Sequence, residues 1–202
     1  MKIAFDAKRA FHNLTGLGNY SRSVIHSISK IETNNQIYLF TPTVNKEKFD
    51  ISKKNIKIIK PKGLVNKSYW RFIGLKKELI NYKIDIYHGL SNEIPCQIKT
   101  RSIVTIHDLL FLKYPEFYQY LDRKIYYIKS KLACQNANKI IATSQETKKD
   151  IINFFNIKSN KIHVIYQSCH PAFINPTENK VSNPKPDLIP KYPFILYVGS
   201  IE

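Results

Sequence analysis

The amino-acid sequence predicts an α/β fold in which a doubly wound parallel sheet of about seven strands carries helices on both faces. Short runs of β-branched and aromatic residues alternate with longer segments whose apolar residues are spaced as on one face of a helix. This alternation is typical of parallel sheets, because parallel neighbours need a crossover connection. A chain of 202 residues with 43% apolar residues is also long enough to bury one sizeable core.

Seven short segments are predicted as strands. Each is rich in β-branched or aromatic residues and is bounded by polar or turn-forming residues. In chain order they are Lys2–Asp6, Gln36–Phe40, Ile56–Ile59, Ile84–His88, Ser102–Ile106, Lys139–Thr143 and Lys161–Ile165.

The longer segments between these strands predict helices. Leu17–Ile31 has four apolar residues at helical spacing, namely Val24, Ile25, Ile28 and Ile31. Ser68–Tyr82 and Tyr118–Asn138 show a similar pattern. The run TSQE, Thr143 to Glu146, predicts a capping box that begins the helix TKKDIINFF, because such side chains can bond each other's backbone N–H groups.

The end of the chain differs in composition from the rest. His170 to Pro193 contains six prolines among polar residues, which is typical of a linker. The sequence therefore predicts a domain over residues 1–172, a proline-rich linker over 173–193 and an apolar strand over 194–202. That strand, FILYVGSIE, either joins the first sheet or begins a second domain.

The chain is strongly basic. Its 32 Lys and Arg residues against 15 Asp and Glu residues give a formal net charge of +17, a field that attracts nucleic acids, anionic lipids and polyphosphates. Only five of the basic residues are arginines and no nucleic-acid-binding motif is present, so specific nucleic-acid binding is not expected. The lysine-rich stretch from Asn45 to Lys67 is interpreted as solvated loops or as a contact with an anionic membrane.

The cysteines and histidines give no sign of a disulfide framework or of a metal site. Cys96, Cys134 and Cys169 are odd in number and form no Cys-x-x-Cys pair, so we expect reduced thiols. His12, His26, His163 and His170 are not spaced as metal ligands are, and no metal is expected.

The sequence shows no targeting or membrane segment. The start MKIAFDAKRAF lacks the apolar region of a signal peptide, and no apolar run approaches the roughly 20 residues of a membrane span. We therefore expect a cytoplasmic location.

Two glycines, Gly16 and Gly18, lie between the first predicted strand and the first predicted helix. Because helix starts present N–H donors, this loop suits a phosphate or a carboxylate. The dinucleotide fingerprint is incomplete, since Ser21 occupies its third glycine position, and no P-loop Gly-Lys-Ser/Thr follows. HGLSNEIP (His88 to Pro95) and HDL (His107 to Leu109) follow the fourth and fifth strands. We expect all three turns at the sheet edge where the strand order reverses.

Five stretches, in this order, resemble the amino-terminal half of glycosyltransferase family 4 enzymes: TGLGNYSRSVI, DIYHGLSNEIP, SIVTIHDLLFLKYPEFY, KIIATSQETKKDI and FILYVGSIE. The resemblance covers nearly the whole chain. It implies the GT-B architecture, in which two Rossmann-like domains face each other across a cleft. The first domain mainly binds the acceptor and the second mainly holds the nucleotide sugar, so residues 194–202 would begin a truncated donor-binding domain.

The resemblance also implies an activity. A UDP- or GDP-linked sugar would be moved to a saccharide or lipid-linked acceptor with retention of configuration, in surface polysaccharide synthesis, with no cofactor and no obligatory metal. The groups that hold the donor diphosphate belong to the missing donor domain, so we expect the 202-residue chain to fold but to lack transferase activity. The implied location is the cytoplasm, at the inner face of the membrane.

Matched residue by residue, the resemblance assigns His107 as the catalytic candidate, a hydrogen-bond partner of the transferred sugar. Asp108 resembles an orienting or helix-capping residue more than a base. The substrate-binding candidates are Gly16, Leu17 and Gly18 beside the donor diphosphate and the acceptor, His88, Asn92 and Glu93 on the acceptor side, and Asp108. After the seventh strand the chain reads YQSCHPAF where family members often have Asn-Gly and an Asp, so we expect this loop to differ.

Two other classes stay open at this stage. A nucleotide-dependent oxidoreductase needs an acidic residue after the second strand, and only Glu47, far from the strand end, is available. A non-enzymatic binding module for anionic polymers would be explained by charge alone.

The segment from Ser68 to Lys83 combines aromatic and basic residues. It predicts either an interfacial helix or a helix with one face toward the core and the opposite face in solvent. Its key residues are Trp70, Arg71, Phe72, Ile73, Lys76 and Lys77.

Overall fold

The computed structural model describes residues 1–31, 34–63, 66, 69–169 and 192–195. Residues Met1–Gln167 form one compact unit, and residues Ser168–Glu202 form a second. The predicted linker over 173–193 and the predicted strand over 194–202 lie outside the described residues, apart from 192–195. These two assignments, and the end of the first domain at residue 172, stay predictions.

The unit Met1–Gln167 is built on a parallel sheet of seven strands, which confirms the predicted fold class. The strands are β1 Lys2–Asp6, β2 Gln36–Phe40, β3 Ile56–Ile59, β4 Ile86–Gly89, β5 Arg101–Ile106, β6 Lys139–Ala142 and β7 Ile162–Val164. Their order in the sheet is β3-β2-β1-β4-β5-β6-β7. The order reverses beside β1, where Ala4 pairs with Tyr38 of β2 on one side and with Tyr87 of β4 on the other. This is a Rossmann-like α/β fold.

Helices cover both faces of this sheet. Within the described residues they are α1 Lys8–His12, α2 Gly16–Ile31, α3 Leu75–Asn81, α4 Leu110–Lys113, α5 Tyr120–Asn136 and α6 Gln145–Phe155. Single turns of 3₁₀-helix occupy Pro115–Phe117 and Ser159–Lys161. The short helices α1 and α4 have no counterpart among the predicted helices, because segments of four or five residues carry too little periodicity to be recognised.

Successive strand residues point to opposite faces and so feed two separate cores. On one face, Phe5 of β1 packs with Phe11 of α1 and Ile25 of α2. On the other face, Tyr87 of β4 belongs to a cluster with residues of three helices, namely Leu75, Leu79, Ala133, Cys134, Ile151 and Phe155. The strands are therefore buried from both sides, which explains their near-continuous apolar sequences.

The amino-terminal cap of α6 lies one residue later than predicted. The hydroxyl of Ser144, not of Thr143, accepts the backbone N–H of Thr147 at 3.0 Å. Glu146 forms an ion pair with Lys113 at 2.6 Å instead of closing the box. Thr143 donates its hydroxyl to the carbonyl of His107 at 2.7 Å. The predicted box was wrong because Thr143 is held by the neighbouring strand end.

The segment predicted as one helix over Ser68–Tyr82 begins with a π-helical turn, Trp70–Gly74, which continues into α3. Trp70 is only 4% exposed and belongs to the core. Arg71, the next residue, has a buried side chain that forms ion pairs inside the unit. The interfacial interpretation of this segment is therefore wrong for its Trp and Arg, which face inward.

The two glycines of the first loop differ in what surrounds them. Gly16 begins α2 and has open space where a Cβ would project. Gly18 is buried, and a Cβ there would collide with the backbone carbonyl of Asn13. The close approach that requires a glycine at position 18 is therefore an internal one, made by the chain that turns from α1 into α2.

Replacing Gly18 by alanine should destabilise the protein, because the added methyl group must displace the Asn13 backbone. We expect a loss of about 1–3 kcal/mol in the free energy of unfolding, measured by urea denaturation. Gly16→Ala is the matched control in the same turn, and its effect should stay within about 0.5 kcal/mol. Equal effects of the two substitutions would show that the Asn13 contact does not constrain position 18.

Candidate functional site

The loops that leave β1, β4 and β5 meet where the sheet order reverses. Together with α5 they line a cavity of about 220 Å³, at the position where open α/β sheets bind ligands. The cavity is lined by Arg9, Leu17, Ser91, Asn92, Glu93, His107, Asp108, Phe111, Tyr118, Tyr126, Lys129 and Ser130. Five predicted site residues are in this lining, and three others, Gly16, Gly18 and His88, are outside it.

The loop after β4 places Asn92 and Glu93 in the cavity. At Gly89 a Cβ would collide with the carbonyl of Glu93, so only glycine lets the loop fold back this tightly. Asn92 has a left-handed backbone conformation with φ 54°, which Asn tolerates better than most residues. Its N–H donates to the carbonyl of Thr105 at 2.9 Å, and its Oδ1 accepts the N–H of His107 at 3.1 Å. Asn92 therefore ties this loop to the end of β5.

His107 is held through both ring nitrogens. Nε2 lies 2.9 Å from the carbonyl oxygen of Leu90, and Nδ1 lies 2.9 Å from the side-chain nitrogen of Gln167. The ring of Tyr20 packs edge-on against the imidazole, with ring centroids 4.7 Å apart. Burial lowers the pKa of His107, and the positive charge of Arg9 lowers it further, while the Leu90 bond and Asp108 act in the opposite direction. The ring is therefore set up to be neutral at pH 7.

His88 is a buried structural neighbour of this group. Its Nε2 and the hydroxyl of Thr105 are 2.9 Å apart, and the same hydroxyl lies 3.0 Å from the Tyr20 hydroxyl. Burial, and then the nearby His107, lower the pKa of His88 to about 4. His88 supports the strand ends and does not reach the cavity lining, so its predicted contact with an acceptor has no direct geometric basis in the described residues.

Asp108 is exposed, and its carboxylate accepts the backbone N–H of Leu110 at 3.3 Å, at the start of α4. This arrangement agrees with the interpretation of Asp108 as a capping or orienting residue. Leu17, in the first turn of α2, is half-buried and lines the cavity.

Glu93 belongs to an ion-pair network that connects the cavity lining to the end of β1. The guanidinium of Arg71 lies 2.5 Å from the carboxylate of Asp6, at the end of β1, and 3.5 Å from that of Glu93. Glu93 also lies 3.6 Å from the ammonium of Lys129 on α5. Burial alone would lower the pKa of Arg71, but the two carboxylates outweigh it and raise the pKa. Arg71 is therefore a permanent cation between two acids.

The sequence did not reveal several residues of the lining. The aromatic wall consists of Phe111, Tyr118 and Tyr126, with the Phe111 ring edge-on to both tyrosines. Arg9, Ser91, Lys129 and Ser130 complete the set. Two signals were available in the sequence. The aromatic-rich run FLKYPEFY includes Phe111 and Tyr118 of the wall, and the rarity of arginine in a lysine-rich chain sets Arg9 apart.

Within the residues that the structure describes, no cluster of three or more His, Cys, Asp or Glu side chains is arranged to hold a metal ion. Over the same residues, none of the helices combines the length and the apolar character that crossing a membrane requires.

The fold is that of a Rossmann-like domain with a cavity at the switch point of its sheet. The sequence model of glycosyltransferase family 4 matches residues 16–172. The chain belongs to glycosyltransferase family 4, and this membership decides against the oxidoreductase alternative.

One known relative is similar in sequence, and two solved structures share the fold. O-antigen chain mannosyltransferase B from Escherichia coli is 26% identical over 223 aligned positions, which cover 100% of this chain and 56% of the relative. Among solved structures, Anabaena HepE in complex with UDP and glucose has a TM-score of 0.52 at 14% identity and covers 84% of this chain and 45% of its own. The lipopolysaccharide outer core galactosyltransferase WaaB has a TM-score of 0.53 at 18% identity, covering 84% and 46%. The chain thus spans about half the length of these relatives.

Proposed function

We propose that this chain is the acceptor-side half of a glycosyltransferase that moves a hexose from a UDP- or GDP-linked donor to a saccharide or lipid-linked acceptor, in the synthesis of a surface polysaccharide. The observation that carries the proposal is the cavity, in which an aromatic wall faces polar and charged groups. The names of the relatives support it, since they include a mannosyltransferase, a galactosyltransferase and a protein bound to UDP and glucose.

A hexose suits this combination of walls. One face of a pyranose ring carries C–H groups, which pack against an exposed aromatic ring such as that of Tyr126, with Phe111 behind it. The hydroxyl groups around the ring need donors and acceptors, and Asn92, Glu93 and Ser91 provide them in the same cavity. Burial of the apolar ring face and satisfaction of the hydroxyls would then occur together.

The chemistry of transfer fits a site that positions its reactants. Breaking a sugar–phosphate bond places negative charge on the leaving diphosphate, and preorganised N–H groups and cations lower that barrier. We propose retention of configuration, with the leaving phosphate assisting deprotonation of the incoming hydroxyl on the same face, and no requirement for a metal. His107 would contact the transferred sugar, and the donor diphosphate would be held mainly by a second domain.

This proposal is tested first by hexose binding to the 202-residue protein. Methyl α-D-mannopyranoside should perturb the NMR signals of Phe111 and Tyr126, and Tyr126→Ala should weaken binding about tenfold because the aromatic contact is lost. Tyr69→Ala removes an exposed tyrosine outside the cavity lining and serves as the matched control. A hexoside that binds both variants equally would contradict the placement of the sugar.

The catalytic part is tested with UDP-glucose and GDP-mannose as donors. The 202-residue chain should give no transfer, whereas a chain that includes the donor domain should transfer in the presence of EDTA and give a product with the donor's anomeric configuration. Turnover by the 202-residue chain would contradict its expected inactivity. Loss of transfer in EDTA would contradict metal independence, and an inverted product would contradict retention of configuration.

We further propose that the protein works at an anionic membrane surface and that α5 makes the contact. Three aliphatic residues recur at helical spacing on this helix and are strongly exposed: Leu121 at 71%, Ile125 at 47% and Ile128 at 53%. Arg123 and Lys124 lie between them in the sequence, and the chain carries a net charge of +17. An apolar stripe beside cations in a basic protein complements anionic lipid headgroups over an apolar interior.

Leu121→Asp should reduce sedimentation with phosphatidylglycerol vesicles at least about tenfold, because it places a carboxylate where apolar surface would be buried. Ile31→Asp is the matched control, since Ile31 is equally exposed but lies at the end of α2. Equal sedimentation of the two variants would show that α5 does not make the contact.

A further inference from the structure

The backbone of His107 is fixed by side chains from two neighbouring loops. Its N–H donates to Asn92 Oδ1 at 3.1 Å. Its carbonyl accepts the hydroxyls of Thr143 at 2.7 Å and of Thr147 at 3.0 Å. These partners come from the loop after β4 and from the start of α6, so the position of His107 does not depend on its own strand alone.

The imidazole ring has a defined hydrogen-bond polarity. The Leu90 carbonyl can only accept, so the ring nitrogen that faces it, Nε2, must carry the proton. In the neutral ring Nδ1 is then the lone-pair acceptor, and it receives an N–H of the Gln167 side-chain amide at 2.9 Å. A ligand can therefore engage Nδ1 only by donating a hydrogen, as a sugar hydroxyl does.

The contact with Gln167 is the exchangeable one among these bonds. Leu90 is fully buried and Thr147 nearly so, whereas Gln167 is exposed at the carboxyl end of the compact unit. An exposed amide that leaves Nδ1 regains its hydrogen bonds from water, so the exchange costs little. The Leu90 carbonyl has no such alternative, because it lies inside the unit.

We propose that Gln167 is a positioning residue that occupies the Nδ1 acceptor of His107 in the free protein, and that a sugar hydroxyl replaces its amide there when substrate binds. This inference rests on the proposed function, because it takes the ligand of the cavity to be a sugar. Gln167 lies in the stretch YQSCHPAF, where family members often have Asn-Gly and an Asp.

The test uses the 202-residue protein labelled with ¹⁵N and titrated with methyl α-D-mannopyranoside. In the wild type the side-chain NH₂ signals of Gln167 should move on binding, while the His107 ring keeps its proton on Nε2. Gln167→Ala should bind the hexoside about 2- to 10-fold more tightly, because no amide has to be displaced. Gln135→Ala is the matched control, since Gln135 is an exposed glutamine at the far end of α5.

The outcomes separate this inference from the function on which it rests. If the hexoside shifts the signals of Phe111 and Tyr126 but Gln167→Ala binds it equally or more weakly, the displacement at Nδ1 is wrong and sugar binding stands. If the hexoside leaves Phe111 and Tyr126 unperturbed in both proteins, sugar binding in the cavity fails, and the inference fails with it.

Discussion

The site depends on one buried cation. Asp6 ends β1 and Glu93 follows β4, and these two strands are neighbours where the sheet order reverses. Their carboxylates therefore approach each other in a region of low solvent access, where like charges repel strongly. The guanidinium of Arg71 forms ion pairs with both carboxylates, and its positive charge, together with that of Lys129 beside Glu93, offsets their two negative charges. Without it, Asp6 would lose its guanidinium partner, and the loop from Gly89 to Glu93 would lose the buried one of the two cations that hold its acidic end.

The loop that Arg71 holds in place is connected by hydrogen bonds to His107. The anchored loop supplies the Leu90 carbonyl and the Asn92 side chain, and both bind His107. His107 is thus rigid at the polar end of the cavity, while the aromatic wall comes from α5 and the segment before it. A rigid polar end and an apolar wall together orient a ligand that has both characters. In the proposed transferase, this is how the acceptor-side domain would position a sugar without covalent chemistry.

Much of the fold could be predicted from the sequence because alternation of strands and helices is a local signal. All seven strands were located, and the glycine turn and the two histidine turns meet at one edge as the topology requires. The role of Arg71 could not be predicted, since its partner Asp6 is 65 positions away and a π-helical turn directs the side chain inward. For the same reason the sequence left open whether Trp70 faces the core or an interface, and the structure places it in the core. The sequence placed Gly18 beside a diphosphate and an acceptor, whereas the contact that requires a glycine there is with the Asn13 carbonyl, which only the folded chain reveals.

The most direct measurement of this account is the free energy of unfolding of Arg71→Met, compared with Lys77→Met on the exposed face of α3. Removing one partner of a buried ion pair leaves uncompensated charge, so Arg71→Met should lose about 3–5 kcal/mol. Adding Asp6→Asn and Glu93→Gln to Arg71→Met should restore at least half of that loss, because no unpaired charge then remains buried. If Arg71→Met unfolds at the same urea concentration as Lys77→Met, Arg71 does not hold the site together, and the central claim is wrong.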